Sequence, residues 1–405
     1  GRRDLQTHVP VHLKRAIVFH ASTPPGYTQD MSRETIFEAS LGYFLSPLRR
    51  FLDDDTVTEI MVNGYDEVYV ERRGRLERTD ARFPSDDALL SAVHNVAQYV
   101  GREIDRERPI LDARLPDGSR VHAVIPPSAR RGTYFTIRKF QRDILDLGDF
   151  IRLGSLSETA REFLEIAVRL KKNILVSGGT GTGKTTFLNA LSTAIPEEER
   201  IVVIEDSSEL KLAQEHCLYL EAQKADAYGR GELTIRQLFV ASLRMRPDRI
   251  IVGEVRGGEA LDMVQSMISG HAGSMTTVHA NSARDALVRL ETLSLMSDVE
   301  LPVYVARAQV ASAIHLIVQL TRFSEDGSRK ITRITEATGL DDENRYVLSD
   351  LFVSKLKGRT NDGRLLADLE PTGERPSFAS EPFEHGMEGA IRLTGRLWHQ
   401  PARGA

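Results

Sequence analysis

The sequence predicts an α/β protein in which a parallel-sheet domain follows a smaller N-terminal α+β domain. Three observations carry this reading. Short unbroken apolar runs, Ile174 to Val176, Ile201 to Ile204 and Ile250 to Val252, are separated by helical stretches, as in parallel strands buried on both faces. Upstream, residues 46–140 show period-two strands, turns and one amphipathic helix. A glycine-rich string follows the first apolar run and opens a helix.

Composition sets the bounds. With 405 residues, 41% hydrophobic and 27% charged, the chain is an ordinary globular one with room for two or three domains. A net charge of −5 gives no global pull toward nucleic acid or anionic lipid. The single Cys217 excludes an intramolecular disulfide and a multi-cysteine zinc site, and fits a reducing, cytoplasmic compartment. No apolar stretch reaches membrane-span length: the nearest, 302–320, is interrupted by Arg307, Gln309 and His315. The N-terminus lacks the pattern of a secretory signal, and Gly1 in place of an initiator Met points to a trimmed start.

In chain order, residues 1–45 read as an N-terminal extension, partly helical, broken by Pro24, Pro25 and Gly26. Glu59 to Val62 with Asn63-Gly64, and Val68 and Val70 with Arg73-Gly74, predict strands ending in hairpin corners. Ser85, Asp86 and Asp87 cap a helix whose apolar face is Leu89, Val93, Val96, Ala97 and Val100. Val121, Ala123 and Ile125, then Phe135 and Ile137, alternate as strands and complete the domain at 140. Residues 141–155, with Gly148 and Gly154, predict a linker. The parallel-sheet domain spans 156–355, with a crossover helix from Thr186 to Ile195 stopped by Pro196 and late strands at Ile331 to Ile334 and Tyr346 to Leu348. Residues 356–405 read as a Gly- and Pro-rich tail.

The chemistry starts at Gly178, Gly179, Thr180, Gly181, Thr182, Gly183, Lys184 and Thr185, with Thr186 next in the helix: a P-loop in strand-to-helix context. Glycines let backbone amides turn onto phosphates and the helix N-terminus adds its dipole. Lys184 neutralises the β and γ oxygens of ATP, and the Thr185 hydroxyl ligates Mg²⁺. Hydrolysis also needs carboxylates at the ends of neighbouring strands. Ile250 to Glu254 has the shape of a Walker B strand, although Gly253 stands where many P-loop enzymes place the metal-binding acid. Glu254 is assigned to orient the attacking water. Glu205, with Asp206, is assigned to polarise water or support Mg²⁺ through its hydration shell. Arg244, Arg246, Arg249 and, just beyond the strand, Arg256 are candidates to touch phosphate, although a charged run before a buried strand, Arg249 included, reads first as a solvated face. His271 and His279 bracket a segment of small and hydroxyl residues; their spacing suits phosphate sensing better than zinc.

Four segments in this order, Ser177 to Thr186, Ile204 to Leu210, Arg244 to Arg256 and Gly270 to Ala280, resemble the secretion and traffic ATPases of bacterial type II and type IV systems. Asp112 to Val121 and Thr136 to Phe140 look like signatures of the CpaF-like branch, which powers Tad/Flp pilus assembly. The resemblance implies a RecA-like P-loop ATPase core, nucleotide held between the two domains, and a homo-hexamer working with an inner-membrane platform protein. It also implies that Arg114, Arg120 and Arg138 reach the nucleotide phosphates like arginine fingers, and that His271 and His279 form a His box. The chain departs from the pattern at Ala222-Gln223, where relatives carry Thr-Arg, so a positive charge is missing there. The resulting expectation is a cytoplasmic, Mg²⁺-dependent ATPase, peripheral to the membrane and without a nucleic-acid partner. A RecA-like nucleic-acid motor and a non-hydrolysing nucleotide-dependent scaffold are the alternatives.

Overall fold

The computed structural model describes residues 40–400 except Arg73, Pro116, 141–144, 226–228, 361, 362 and 364. The expected extension therefore lies almost wholly outside the described residues. Its last part, from residue 40, is helical, and Leu41 and Leu45 are buried in the core of the N-terminal domain.

Alternating burial builds the first sheet. Strands β1 (Val57–Val62), β2 (Val68–Arg72), β3 (Arg75–Arg78), β4 (Ile110–Arg114), β5 (Arg120–Val124) and β6 (Tyr134–Arg138) pair antiparallel in the order β3-β2-β1-β6-β5-β4. Apart from β3, which is exposed throughout, their buried apolar members share a core with Leu89, Val93 and Val96 of helix α1 (Asp86–Tyr99). Its cap is the expected one: the Ser85 side chain accepts the Ala88 amide.

The second sheet has nine strands, β7 (Ile174–Gly178), β8 (Ile201–Glu205), β9 (Cys217–Glu221), β10 (Arg249–Val252), β11 (Met275–Val278), β12 (Leu316–Arg322), β13 (Arg329–Leu340), β14 (Tyr346–Arg359) and β15 (Leu365–Pro371). Their order is β15-β14-β13-β12-β7-β11-β10-β8-β9. The six strands from β12 to β9 are parallel, with β7, β8, β10 and β11 buried along their whole length, and the last three are antiparallel. The predicted parallel α/β core is thus observed, extended at one edge by a hairpin meander.

Both expected boundaries of this domain shift outward. Residues 147–152 are not linker: they form a helix capped by Asp146, and Leu147 and Phe150 join the core around β7. The tail expected from 356 begins inside β14. Beyond β15, Phe378, Leu397 and Trp398 return to the same core, where Trp398 stacks on Phe163 with ring centroids 5.4 Å apart. Composition hid this packing, because a few aromatic anchors in a Gly- and Pro-rich segment show no periodicity.

A second correction concerns the charged run before β10. Arg244 and Arg246 are exposed, but Arg249 is only 1% exposed. Its Nε donates to Glu199 Oε2 at 2.5 Å, Nη2 to the Val168 carbonyl at 2.8 Å and Nη1 to the Gly273 carbonyl at 3.3 Å. Gly273, at φ +83°, faces the guanidinium where any Cβ would collide.

At the same edge of the sheet, His315 Nδ1 accepts the Asn173 amide at 3.0 Å, which requires an unprotonated nitrogen. Burial, with Lys172 nearby, holds its pKa down to about 4. The unfolded chain binds this proton near pH 6.5, so His315 costs no stability above that pH and progressively destabilises the fold as pH falls toward 4. Unfolding free energies from urea titrations at pH 7.5 and pH 5 are expected to differ by about 2 kcal/mol more in the wild type than in His315→Gln. Equal pH slopes in the two proteins would contradict this.

Candidate active site

Four adjacent parallel strands, β7, β11, β10 and β8, end at one edge of the second sheet, and each delivers a predicted residue there. β7 runs into the P-loop. Gly181 and Gly183 take φ of +69° and +89°, and the helix Lys184–Ser192 starts directly behind them. At Gly178 a Cβ would lie 2.8 Å from the Leu320 carbonyl, so the strand packs too closely there for a side chain. Thr185 and Thr186 open the helix, and both face the cleft.

Lys184 Nζ donates to the Gly179 carbonyl at 3.0 Å and lies 3.3 Å from His279 Nδ1. Burial lowers its pKa to about 8, against the opposing pull of Glu254. His279 Nε2 meets Glu254 Oε1 at 2.9 Å, and Glu254 Oε2 accepts Arg256 Nη2 at 2.7 Å. One neutral imidazole satisfies both contacts, donating to Glu254 and accepting from Lys184; burial and Lys184 push the His279 pKa below its ordinary value. Arg256 also reaches Asp206 Oδ2 at 3.4 Å. Glu254 is thereby held at the cleft in a row of opposite charges.

Glu205 packs against the position of the missing acid. It is 4% exposed, and its carboxylate accepts the amides of Glu209 and Leu210 at 3.0 to 3.2 Å. Burial raises its pKa to about 7 although these amides oppose the rise. A Cβ on Gly253 would lie 2.9 Å from Glu205 Cγ, so the Glu205 side chain fills the space that an acid at position 253 would take. Gly253→Ala is therefore expected to displace Glu205 and lower turnover about 10-fold while the melting temperature moves by no more than about 3 °C. Unchanged turnover would separate Glu205 from the chemistry.

The N-terminal domain closes the cleft, a space of about 450 Å³. Arg120 and Arg138 line it. Arg120 Nη1 pairs with Glu209 at 3.0 Å and Nη2 donates to the Ser207 carbonyl. Arg138 is exposed, and among the described residues its guanidinium makes no hydrogen bond or close ion pair, although its charge acts on Glu59. Arg114 corrects its expected place. It does not line the cleft but docks behind the same loop, on the Ser208 carbonyl at 3.0 Å and Glu221 at 3.2 Å. His271 is likewise not brought to the site. It precedes β11, where Gly273 and Ser274 amides donate to Asn173 at the start of β7, so the length of the sheet separates it from the P-loop. Sequence spacing could not reveal that a strand lies between the two histidines. Ala222 and Gln223 continue from β9 with Gln223 bridged to Leu233, and the next residue, Lys224, pairs with Asp112 at 2.6 Å.

Four further residues enter the site unannounced, and Arg256 joins them from just beyond β10. Arg256 and Glu209 flank the carboxylates, and Glu71, Arg322 and Arg329 line the cleft from the side of the N-terminal hairpin. Arg256 and Glu209 stood in recognisable segments. The others sit in turns or strands with no distinctive pattern.

Fold and site together define a RecA-like P-loop ATPase with an N-terminal α+β domain. The chain belongs to the type II/IV secretion system protein family, whose profile matches residues 44–364. The type IV secretion system protein PtlH of Bordetella pertussis is 38% identical over 320 residues, covering 72% of this chain and 94% of its own. VirB11 of Brucella suis, also a type IV secretion system protein, is 34% identical over 319 residues, covering 72% and 88%. Among solved structures, the ATPase DotB of Legionella pneumophila shares the fold at a TM-score of 0.50 and 18% identity, covering 75% of this chain and 82% of that one. Among the described residues no helix is long and apolar enough to cross a membrane.

Proposed function

We propose that this chain is a Mg²⁺-dependent ATPase motor that works as a homo-hexamer, cytoplasmic and peripheral to the inner membrane. It couples hydrolysis to a membrane-embedded platform protein in Tad/Flp-type pilus assembly or protein secretion. The observation that carries the reading is the convergence of the P-loop, Glu254 and Glu205 on a cleft that the N-terminal domain also walls. A nucleotide bound there touches both domains, so its hydrolysis can change their relative position. The segments Asp112 to Val121 and Thr136 to Phe140 support the pilus arm, and likeness to type IV secretion proteins supports the secretion arm.

The residues fit a magnesium nucleotide. No group of three His, Cys, Asp or Glu among the described residues could hold a metal on its own, which suits an ion completed by phosphate oxygens and water. Thr185, with Glu205 and Asp206 through water, would hold it, and the ion supplies neutralisation of phosphate charge. Glu254 orients the attacking water while Lys184, Arg120 and Arg138 offset charge on the transferred phosphoryl group. Arg114 keeps the 206–209 loop in place from behind.

Turnover of ATP with and without Mg²⁺, combined with light scattering, tests this. A particle of six times the 45.2 kDa chain mass with Mg²⁺-dependent turnover is expected. An active monomer would rule out the ring.

A further inference from the structure

Beside the nucleotide cleft, one carboxylate of the N-terminal domain faces two guanidiniums of the ATPase domain. Glu71, on β2, is 9% exposed. Its Oε1 accepts Arg329 Nη2 at 3.0 Å and its Oε2 accepts Arg322 Nη1 at 3.4 Å. Arg322 also donates to the Gly74 carbonyl in the β2–β3 turn. Arg329 points its Nε at the P-loop instead and donates to the Gly181 carbonyl at 2.7 Å. Behind these pairs the β2–β3 turn and the β12–β13 turn meet backbone to backbone. A Cβ on Gly74 would lie 3.0 Å from the Gly327 carbonyl, and one on Gly327 would lie 3.1 Å from that of Gly74. Both glycines have positive φ, +77° and +71°.

This contact reaches the phosphate loop. Glu71, Arg322 and Arg329 all line the cleft, and Arg322 Nη1 is so close to Gly181 that a Cβ there would lie 3.1 Å away. Guanidinium forks bind carboxylates and phosphates by the same paired hydrogen bonds. Glu71 and a nucleotide phosphate are therefore rivals for one pair of arginines.

We propose that Glu71 is a positioning residue that holds Arg322 and Arg329 back from the phosphates and, through Arg329, steadies the P-loop at Gly181. Seating of the β2–β3 hairpin and occupancy of the cleft are then coupled: with Glu71 engaged, nucleotide is held less tightly and the loop is ordered for turnover. The inference rests on the reading of the cleft as a nucleotide site.

Two effects of opposite sign follow. Glu71→Gln removes the competing charge, so affinity for ADP carrying a fluorescent methylanthraniloyl label is expected to rise about five-fold. The same change loosens Arg329 from its anchor, and kcat is expected to fall about five-fold. In an Arg329→Gln background, Glu71→Gln is expected to shift both quantities by less than half as much on a logarithmic scale. Glu71→Asp, which keeps the charge, is expected to bind labelled ADP within about two-fold of wild type and serves as the folding control. Loss of affinity together with kcat in Glu71→Gln would reduce Glu71 to an interdomain packing contact and overturn the proposal. So would equal effects of Glu71→Gln in both backgrounds. Failure of the wild type itself to bind labelled ADP would overturn the nucleotide reading first, and this relay with it.

Discussion

Glu254→Gln is expected to lower ATP turnover by at least about 100-fold while leaving nucleotide affinity within about three-fold. The substitution keeps the size of the side chain and removes its charge. In the structure both carboxylate oxygens are engaged, one with His279 Nε2 at 2.9 Å and one with Arg256 Nη2 at 2.7 Å, which fixes the carboxylate at the end of β10 beside Lys184. A carboxylate held this way can orient water and accept its proton, whereas an amide can do neither well. Binding, by contrast, depends on backbone amides of the P-loop and on Lys184, which the change does not touch. Steady-state turnover and labelled-nucleotide titration measure the two halves separately. Turnover within about three-fold of wild type would move the role of water activation from Glu254 to Glu205.

Arg249→Ala is expected to destabilise the fold by about 3–5 kcal/mol, measured from the denaturant midpoint. The mutation leaves Glu199 without its main partner and frees the Val168 and Gly273 carbonyls that the guanidinium satisfies. Replacing both partners, Arg249→Met with Glu199→Leu, is expected to recover at least half of the loss, because the penalty lies in the uncompensated charge and not in the missing attraction. A cost below about 1 kcal/mol for the single variant would return Arg249 to the solvated role that its charged neighbours suggest.

Much of this was readable in one dimension, for a physical reason. A P-loop is local: strand, glycines, lysine and helix are consecutive, and their spacing carries the geometry. The same holds for β8 ending in Glu205 and for Glu254 two residues past β10, since a fully buried parallel strand shows as an unbroken apolar run and its acid as the first charged residue at or after its end. The helix capped at Ser85 and the alternating strands around it were legible on the same terms.

What depended on distance along the chain was not. His271 and His279 are near neighbours in sequence, yet β11 carries one to the cleft and leaves the other at the far edge of the sheet. Arg114 and Arg120 flank one hairpin, and only the second lines the cleft. Arg249 shares a charged run with exposed arginines, but its place at the start of a central strand buries it against Glu199. Phe378, Leu397 and Trp398 belong to the core only because the chain returns across it after β15.

The sequence by itself determined the class of chemistry, the order of the two domains and the strand ends that carry Lys184, Glu205 and Glu254, because each is set by consecutive residues. Tertiary structure alone decided that Glu205 occupies the space above Gly253, that Arg256 and His279 clamp Glu254, and that Glu71 reaches across to Arg322 and Arg329. Apart from Arg256 and Glu254, these are contacts between residues far apart in the chain, and the free energy that selects them comes from tertiary packing rather than from any local propensity.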